Sequence, residues 1–156
     1  MDPEPARRKI AMGLDLDGVY AGSAGFPGPP PAIVIEASGR PEAIPQAFEL
    51  CARNGRVVLL GSTRGATESV DFYNLVHRKG LSVIGAHELT RPIYESGPGS
   101  WTSWDETGLI LAMIAAGRLD LSPMMTHEFP ADEAAEAFKV LGEGGDAALV
   151  LLDWTG

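Results

Sequence analysis

The sequence contains a single cysteine, Cys51, among its 156 residues. One cysteine cannot form an internal disulfide, and it excludes a cysteine-rich zinc site. The chain also lacks an apolar run long enough to span a bilayer. Its start, rich in Asp, Pro, Glu and Ala, has no signal-peptide core. These absences predict a cytoplasmic protein without a membrane segment.

Positive charge is scarce. Twelve Lys and Arg residues stand against 21 Asp and Glu residues, which gives a net charge of −9. Such a chain is repelled by nucleic-acid phosphates and by anionic membranes, and the run Arg7-Arg8-Lys9 is too short to reverse this. We therefore expect no nucleic-acid or membrane partner. Hydrophobic residues make up 45% of the chain, which is ordinary for one globular domain.

Glycine and proline are clustered rather than spread along the chain. Residues 21–31 read AGSAGFPGPPP, a composition that propagates neither a helix nor a central strand. A second glycine- and proline-containing stretch covers residues 91–103. Both stretches are predicted to be loops.

Between these loops, short apolar runs alternate with helical patterns. The runs AIVIE, RVVLL and LSVIG predict buried parallel strands at residues 32–36, 56–60 and 81–85, with a last strand at 148–152. Helical spacing predicts helices at residues 5–14, 41–53, 70–78, 105–116 and 132–141. This alternation indicates βαβ units. The predicted fold is therefore α/β, with a doubly wound, mostly parallel sheet and helices on both faces.

An ordered series of motifs lies within residues 32–62. The first strand ends in Glu36-Ala37-Ser38-Gly39, Pro41-Glu42 opens the helix, and Asn54-Gly55-Arg56-Val57-Val58 leads to a strand ending at Gly61. The series resembles the fourth and fifth strands of the cofactor domain in the zinc-containing medium-chain dehydrogenase/reductase family, which includes alcohol, polyol and threonine dehydrogenases. The likeness continues at residues 75–87, 123–130 and 134–154.

The resemblance implies that only part of the family's fold is present. No glycine-rich phosphate fingerprint appears, and the first strands of the Rossmann-type sheet and the domain with the family's zinc ligands are missing. We therefore expect a C-terminal fragment. Residues 1–118 would form a partial nicotinamide-cofactor domain, and residues 119–156 a helix-strand segment that packs back on the catalytic domain in the family.

The resemblance also implies which residues contact NAD or NADP. They are Glu36, Ala37, Ser38 and Gly39 after the first strand, Leu60, Gly61 and Ser62 after the second, Ala86 and His87 after the third, and Asp2 and Arg7 near the adenosine. A carboxylate at Asp2 repels a 2′-phosphate, which favours NAD over NADP. Structural alternatives stay open: a turn capped by serine, a plain turn, a surface histidine, and for Asp2 a frayed terminus. No catalytic residue and no metal ligand is expected in this chain.

Two functions follow from the resemblance. The first is an oxidoreductase, an NAD(P)-dependent zinc-type alcohol or polyol dehydrogenase, present as a fragment that is inactive alone. The alternative is a non-catalytic dimerisation or assembly module, because the family builds its dimer with the strand that corresponds here to residues 81–86, from Leu81 to Ala86. A homodimer is the expected assembly. A further possibility is that Met1 is an internal methionine of a longer reading frame.

Overall fold

The computed structural model describes residues 1–155, which form two compact units, residues 26–106 and residues 1–25 with 107–155. The strands are β1 (Ile33–Glu36), β2 (Arg56–Leu59), β3 (Ser82–Gly85), β4 (Met125–Pro130) and β5 (Leu149–Asp153). The α-helices are α1 (Pro5–Ala11), α2 (Ala43–Leu50), α3 (Ser103–Ala115) and α4 (Ala134–Glu143). Short 3-10 turns lie at Ser23–Gly25, Glu88–Thr90, Ser122–Met124 and Ala131–Glu133, and a π-helical turn at Tyr73–His77.

The unit of residues 26–106 is built on a three-stranded parallel sheet in the order β1-β2-β3. Val34 pairs with Val57, and Val57 pairs with Val83. Short runs of β-branched residues favour this pleated, half-buried arrangement. Helix α2 connects β1 to β2 and packs on both strands, so that β1, α2 and β2 form a βαβ unit. The prediction of an α/β fold with parallel strands is confirmed.

The core of this unit lies between α2 and the sheet. Phe48 and Cys51 come from the helical side, and Val57 comes from the central strand; Phe48 is only 2% exposed. The ammonium group of Lys79 donates hydrogen bonds to the carbonyl oxygens of Phe48 (2.6 Å) and Glu49 (3.0 Å). A cation there satisfies carbonyls that the end of α2 leaves free. The helix is therefore fixed over the sheet by both packing and charge.

The other unit contains a second parallel pair, β4 with β5, connected by α4. The pairing shifts register between Met125 and His127. At this irregularity the hydroxyl of Thr126 accepts a hydrogen bond from the Ala148 N–H (3.0 Å) and donates one to the Leu149 carbonyl (3.3 Å). The side chain thereby satisfies backbone groups where the ladder is interrupted.

The structure differs from the sequence-based expectation at two elements. Strand β4 was not predicted, because its residues MTHEFP show neither an apolar run nor strict alternation. The helix predicted at residues 70–78 is only the π-helical turn Tyr73–His77, closed by the Arg78 N–H on the Tyr73 carbonyl (2.9 Å). The chain then turns at Gly80, whose φ of 64° suits glycine, and a Cβ there would lie 2.6 Å from Asn54 Oδ1.

No helix within residues 1–155 combines the length and the apolar composition that a bilayer crossing requires.

We expect the Phe48→Ala variant to lose about 3 kcal/mol of unfolding free energy, because it leaves a cavity between α2 and the sheet. Urea denaturation followed by circular dichroism measures this difference. Phe138→Ala is the matched control, since Phe138 lies on α4 and is 70% exposed. Equal losses in the two variants would contradict the position of the core.

Candidate functional site

The carboxyl ends of β1, β2 and β3 lie at one edge of the parallel sheet, where open α/β folds bind ligands. The N–H groups of Leu60 and Gly61 both donate to the carbonyl oxygen of Glu36, each at 2.9 Å. The N–H of Ala86 donates to the carbonyl oxygen of Leu59 at 3.0 Å. The three segments predicted to contact a cofactor are therefore connected by backbone hydrogen bonds along this edge.

Two glycines let the turns after β1 and β2 touch through their backbones. A Cβ on Gly61 would lie 2.5 Å from the Gly39 nitrogen, closer than side-chain carbons approach backbone. Gly39 has a φ of 70°, and a Cβ on it would lie 3.2 Å from the Ser62 carbonyl oxygen. We call these turns, residues 37–39 and 60–62, the paired turns. The space that a side chain would take at each glycine is filled by the backbone of the other turn.

The side chain of Glu36 points into its own turn. It is 5% exposed, and Oε1 accepts hydrogen bonds from the Ser38 N–H (2.7 Å) and from the Ser38 hydroxyl. The Ser38 hydroxyl in turn accepts one from the Arg40 N–H at 3.2 Å. Glu36 Oε2 is buried and has no hydrogen-bond partner among residues 1–155. The sequence identified Glu36 as a site residue but gave no indication that its carboxyl group faces inward.

An ion pair lies just beyond the first turn. Arg40 Nη2 and Glu42 Oε1 are 2.6 Å apart, and both side chains are largely exposed. The pKa of the Glu42 carboxyl lies below its ordinary value because its own backbone N–H, and then the Arg40 side chain, donate hydrogen bonds to it. Exposed pairs of this kind contribute little to stability, so we assign the pair no role in holding the site.

His87 is exposed and caps the short turn Glu88–Thr90. Its Nδ1 accepts a hydrogen bond from the Leu89 N–H at 3.1 Å, and its carbonyl oxygen accepts one from the Thr90 hydroxyl at 2.7 Å. Both contacts are local, since they join residues at most three positions apart. His87 therefore has a structural task at the end of β3, next to Ala86.

Asp2 and Arg7 belong to the other compact unit. Asp2 Oδ1 accepts a hydrogen bond from the Glu4 N–H (2.8 Å), and the Asp2 carbonyl accepts one from the Arg8 guanidinium (2.8 Å). The Arg7 side chain has no hydrogen bond or ion pair in the described part of the chain. It lines a cleft of about 330 Å³ in that unit, together with Ile10, Ala11, Leu14, Met124, Ala147 and Ala148.

One feature of the sheet unit was not predicted from the sequence. An apolar cleft of about 440 Å³ opens beside α2 and the sheet, lined by Ile44, Phe48, Leu59, Thr67, Val70, Phe72 and Val83. Its lining comes from four separate segments of the chain, so no local motif indicates it. The aromatic rings of Phe48 and Phe72 lie 6.4 Å apart within it.

A zinc ion does not fit the residues present. Within residues 1–155 no group of three or more His, Cys, Asp or Glu side chains could hold a metal. The single thiol, Cys51, is buried and faces the carbonyl oxygen of Arg56 at 3.5 Å. A catalytic zinc needs three protein ligands and an open position. We therefore derive no chemical step through zinc on these residues.

Gly61→Ala should separate the paired turns, because the new methyl group meets the backbone of Gly39. We expect a loss of about 1–3 kcal/mol in unfolding free energy, measured by urea denaturation. Gly85→Ala is the matched control, since a Cβ at the end of β3 meets nothing within 4 Å. A Gly61→Ala protein as stable as the Gly85→Ala protein would show that the paired turns do not touch as described.

Comparison with known proteins bears on the identity of this site. The model of the zinc-binding dehydrogenase family matches residues 2–97. L-threonine 3-dehydrogenase of Pyrococcus abyssi is 31% identical over 121 residues, which are 77% of this chain and 31% of that enzyme. The Burkholderia cenocepacia enzyme of the same name is 34% identical over 121 residues, 78% of this chain and 31% of that enzyme. The chain thus spans less than a third of the length of these relatives.

Solved structures agree on the fold. A short chain alcohol dehydrogenase of Escherichia coli CFT073, complexed with NADH, superposes with a TM-score of 0.74 at 18% identity over 98% of this chain and 43% of that one. L-idonate 5-dehydrogenase of Escherichia coli K-12 gives 0.67 at 20% identity, over 97% of this chain and 41% of that one. The α/β architecture is consistent with part of a Rossmann-type cofactor domain. Because the family model matches more than half of the 156 residues, the chain belongs to the zinc-binding dehydrogenase family.

Proposed function

We propose that this chain supplies the nicotinamide side of a cofactor site in a zinc-type alcohol or polyol dehydrogenase. The observation that carries the proposal is the contact between the paired turns at the carboxyl edge of the sheet, where Gly39 and Gly61 bring two backbone segments together. When bound, a nicotinamide cofactor accepts a hydride from an alcohol. The task of this chain is to bind and orient that cofactor through the backbone of residues 37–39, 60–62 and 86–87.

NAD is the cofactor we favour over NADP. Asp2 places a carboxylate beside the first turn of α1, and a carboxylate accepts hydrogen bonds from ribose hydroxyls but repels a 2′-phosphate. Arg7, five residues later, is the side chain we assign to the adenosine moiety. The support is the position of both residues relative to the family motif, together with the NADH in the E. coli CFT073 relative.

We further propose that the chain is a fragment without catalytic activity of its own. Residues 1–118 would belong to the cofactor domain, and residues 119–156 to the segment that packs on a catalytic domain. Two observations support this: the chain spans 31% of its threonine dehydrogenase relatives, and its described residues hold no metal cluster. The catalytic zinc and its ligands would then come from polypeptide outside these residues.

The test is direct. The chain, incubated with zinc, NAD and an alcohol, a polyol or L-threonine, should form no NADH by absorbance. Saturation-transfer NMR should nevertheless detect contact between the protein and the nicotinamide protons of NADH, and Gly61→Ala should weaken it while Gly85→Ala retains it. Turnover would contradict the inactive fragment. Absence of any NADH contact would contradict the cofactor role.

A second function is favoured by β3. It is an edge strand of the sheet, all four of its residues are exposed, and Val83 and Ile84 are 39% and 43% exposed. An open, apolar strand edge pairs readily with another strand. We propose that residues 81–86 form a homodimer by pairing with a second copy, which would make the chain an assembly module even without catalysis.

Light scattering coupled to size exclusion distinguishes the two states. We expect twice the chain mass of 16.5 kDa for the wild type and a single chain mass for Ile84→Lys, because a buried, unpaired ammonium group opposes the pairing. Leu16→Lys, at a 54% exposed position outside the sheet, should stay dimeric. A monomeric wild type would rule out this assembly.

A further inference from the structure

We propose that Glu36 is a positioning residue, which holds the paired turns at their spacing and acts on a bound nicotinamide through them without touching it. This inference rests on the proposed function, since it takes the paired turns to face the nicotinamide half of the cofactor.

The first step of the argument is the direction of the side chain. Glu36 is the last residue of β1; the residue is 5% exposed, and its carboxyl group lies inside the turn that follows. Oε1 accepts hydrogen bonds from the Ser38 N–H and the Ser38 hydroxyl, and Oε2 is buried away from solvent. A ligand hydroxyl could reach either oxygen only if the turn opened. The effect of Glu36 on a ligand must therefore pass through the backbone around it.

The second step is that one residue holds both turns. The side chain of Glu36 fixes residues 37–39 through Ser38, and its carbonyl oxygen accepts the N–H groups of Leu60 and Gly61. A Cβ on Gly61 would lie 3.1 Å from Glu36 Oε2, so the carboxyl group also packs against the second turn. Removing the side chain empties the space beneath the two turns and frees Ser38. The backbone hydrogen bonds from Leu60 and Gly61 to the carbonyl of residue 36 remain, so the first turn becomes less constrained relative to the second.

The third step is energetic. A buried oxygen without a donor is unfavourable to folding, and an unpaired buried group in a native structure calls for an explanation. Glu36 Oε2 is such an oxygen. Local rules are broken mainly where function compensates. We explain the carboxyl group at this position by the geometry of the paired turns that it maintains, and not by its contribution to stability alone.

The experiment compares Glu36→Ala with Glu36→Gln in the full chain. Glutamine keeps an acceptor oxygen for Ser38 and nearly the same volume, whereas alanine removes both. Glu49→Ala is the matched control, because Glu49 is an exposed glutamate on α2 whose side chain forms no hydrogen bond or ion pair within residues 1–155. Affinities for reduced nicotinamide mononucleotide and for AMP are measured separately by saturation-transfer titration.

We expect Glu36→Ala to weaken nicotinamide mononucleotide binding about tenfold, as the loss of two hydrogen bonds suggests. Glu36→Gln should stay within about threefold of the wild type, since it keeps the acceptor. AMP affinity should be unchanged in all variants. If glutamine weakens binding as much as alanine, the acceptor for Ser38 is not what positions the turns, and the inference is wrong. If AMP binding falls in parallel, the residue only supports folding, and the inference is equally wrong.

Amide hydrogen exchange gives a readout that needs no ligand. In Glu36→Ala we expect faster exchange at Ser38, Gly39 and Gly61, with unchanged protection at Val57 and Val58 in β2. Glu36→Gln should resemble the wild type. If exchange became faster at all amides alike, or at none of them, the positioning role would be wrong. If the wild type bound neither probe, the proposed function would fail, and the exchange pattern would still decide whether Glu36 holds the turns.

Discussion

A single carbonyl oxygen, that of Glu36, accepts two backbone N–H groups and thereby sets where β1 and β2 end relative to each other. The register of the two strands leads into this joint, where Gly61 contacts Gly39 and the Glu36 carboxyl group turns inward to Ser38. Helix α2 carries the chain back to the start of β2 and packs on the sheet through Phe48 and Cys51 against Val57. Lys79 binds the last carbonyls of the helix. The fold brings two short backbone segments together, and the chemistry assigned to the chain depends on that proximity.

The sheet leaves apolar surface exposed on one of its faces. A doubly wound sheet buries both faces. Here the side of β1 opposite Val34 carries Ile33 and Ile35, which are 55% and 60% exposed. Helix α3 has no buried residue, although its centre reads GLILAMI. A chain with so much exposed apolar surface tends to associate with other polypeptide. Both the fragment proposal and the assembly proposal are consistent with this tendency.

Much of the fold was predictable because its signals are local. Apolar β-branched runs located β1, β2 and β3, and amphipathic spacing located α2. Residues 70–78 were predicted as a helix, but the structure has only the π-helical turn Tyr73–His77, and the left-handed turn that follows at Gly80 packs against Asn54, a residue distant in sequence. Strand β4 was missed because its partner and α4, rather than its own pattern, hold it in place. The motif likewise predicted the positions of the two turns. Their contact depends on the strand register, and the inward direction of Glu36 depends on its hydrogen bonds with Ser38.

The division of the chain into units has a consequence for how it is made. Residues 26–106 are contiguous, and the paired positions Val34 and Val57 are separated by one short helix, so this unit can form while the ribosome is still adding residues. The other unit combines residues 1–25 with residues 107–155. Its first segment is synthesised first but cannot pack on its second until residues 26–106 have been added. The sheet edge that carries the paired turns is therefore synthesised in full before the residues of β4 and β5.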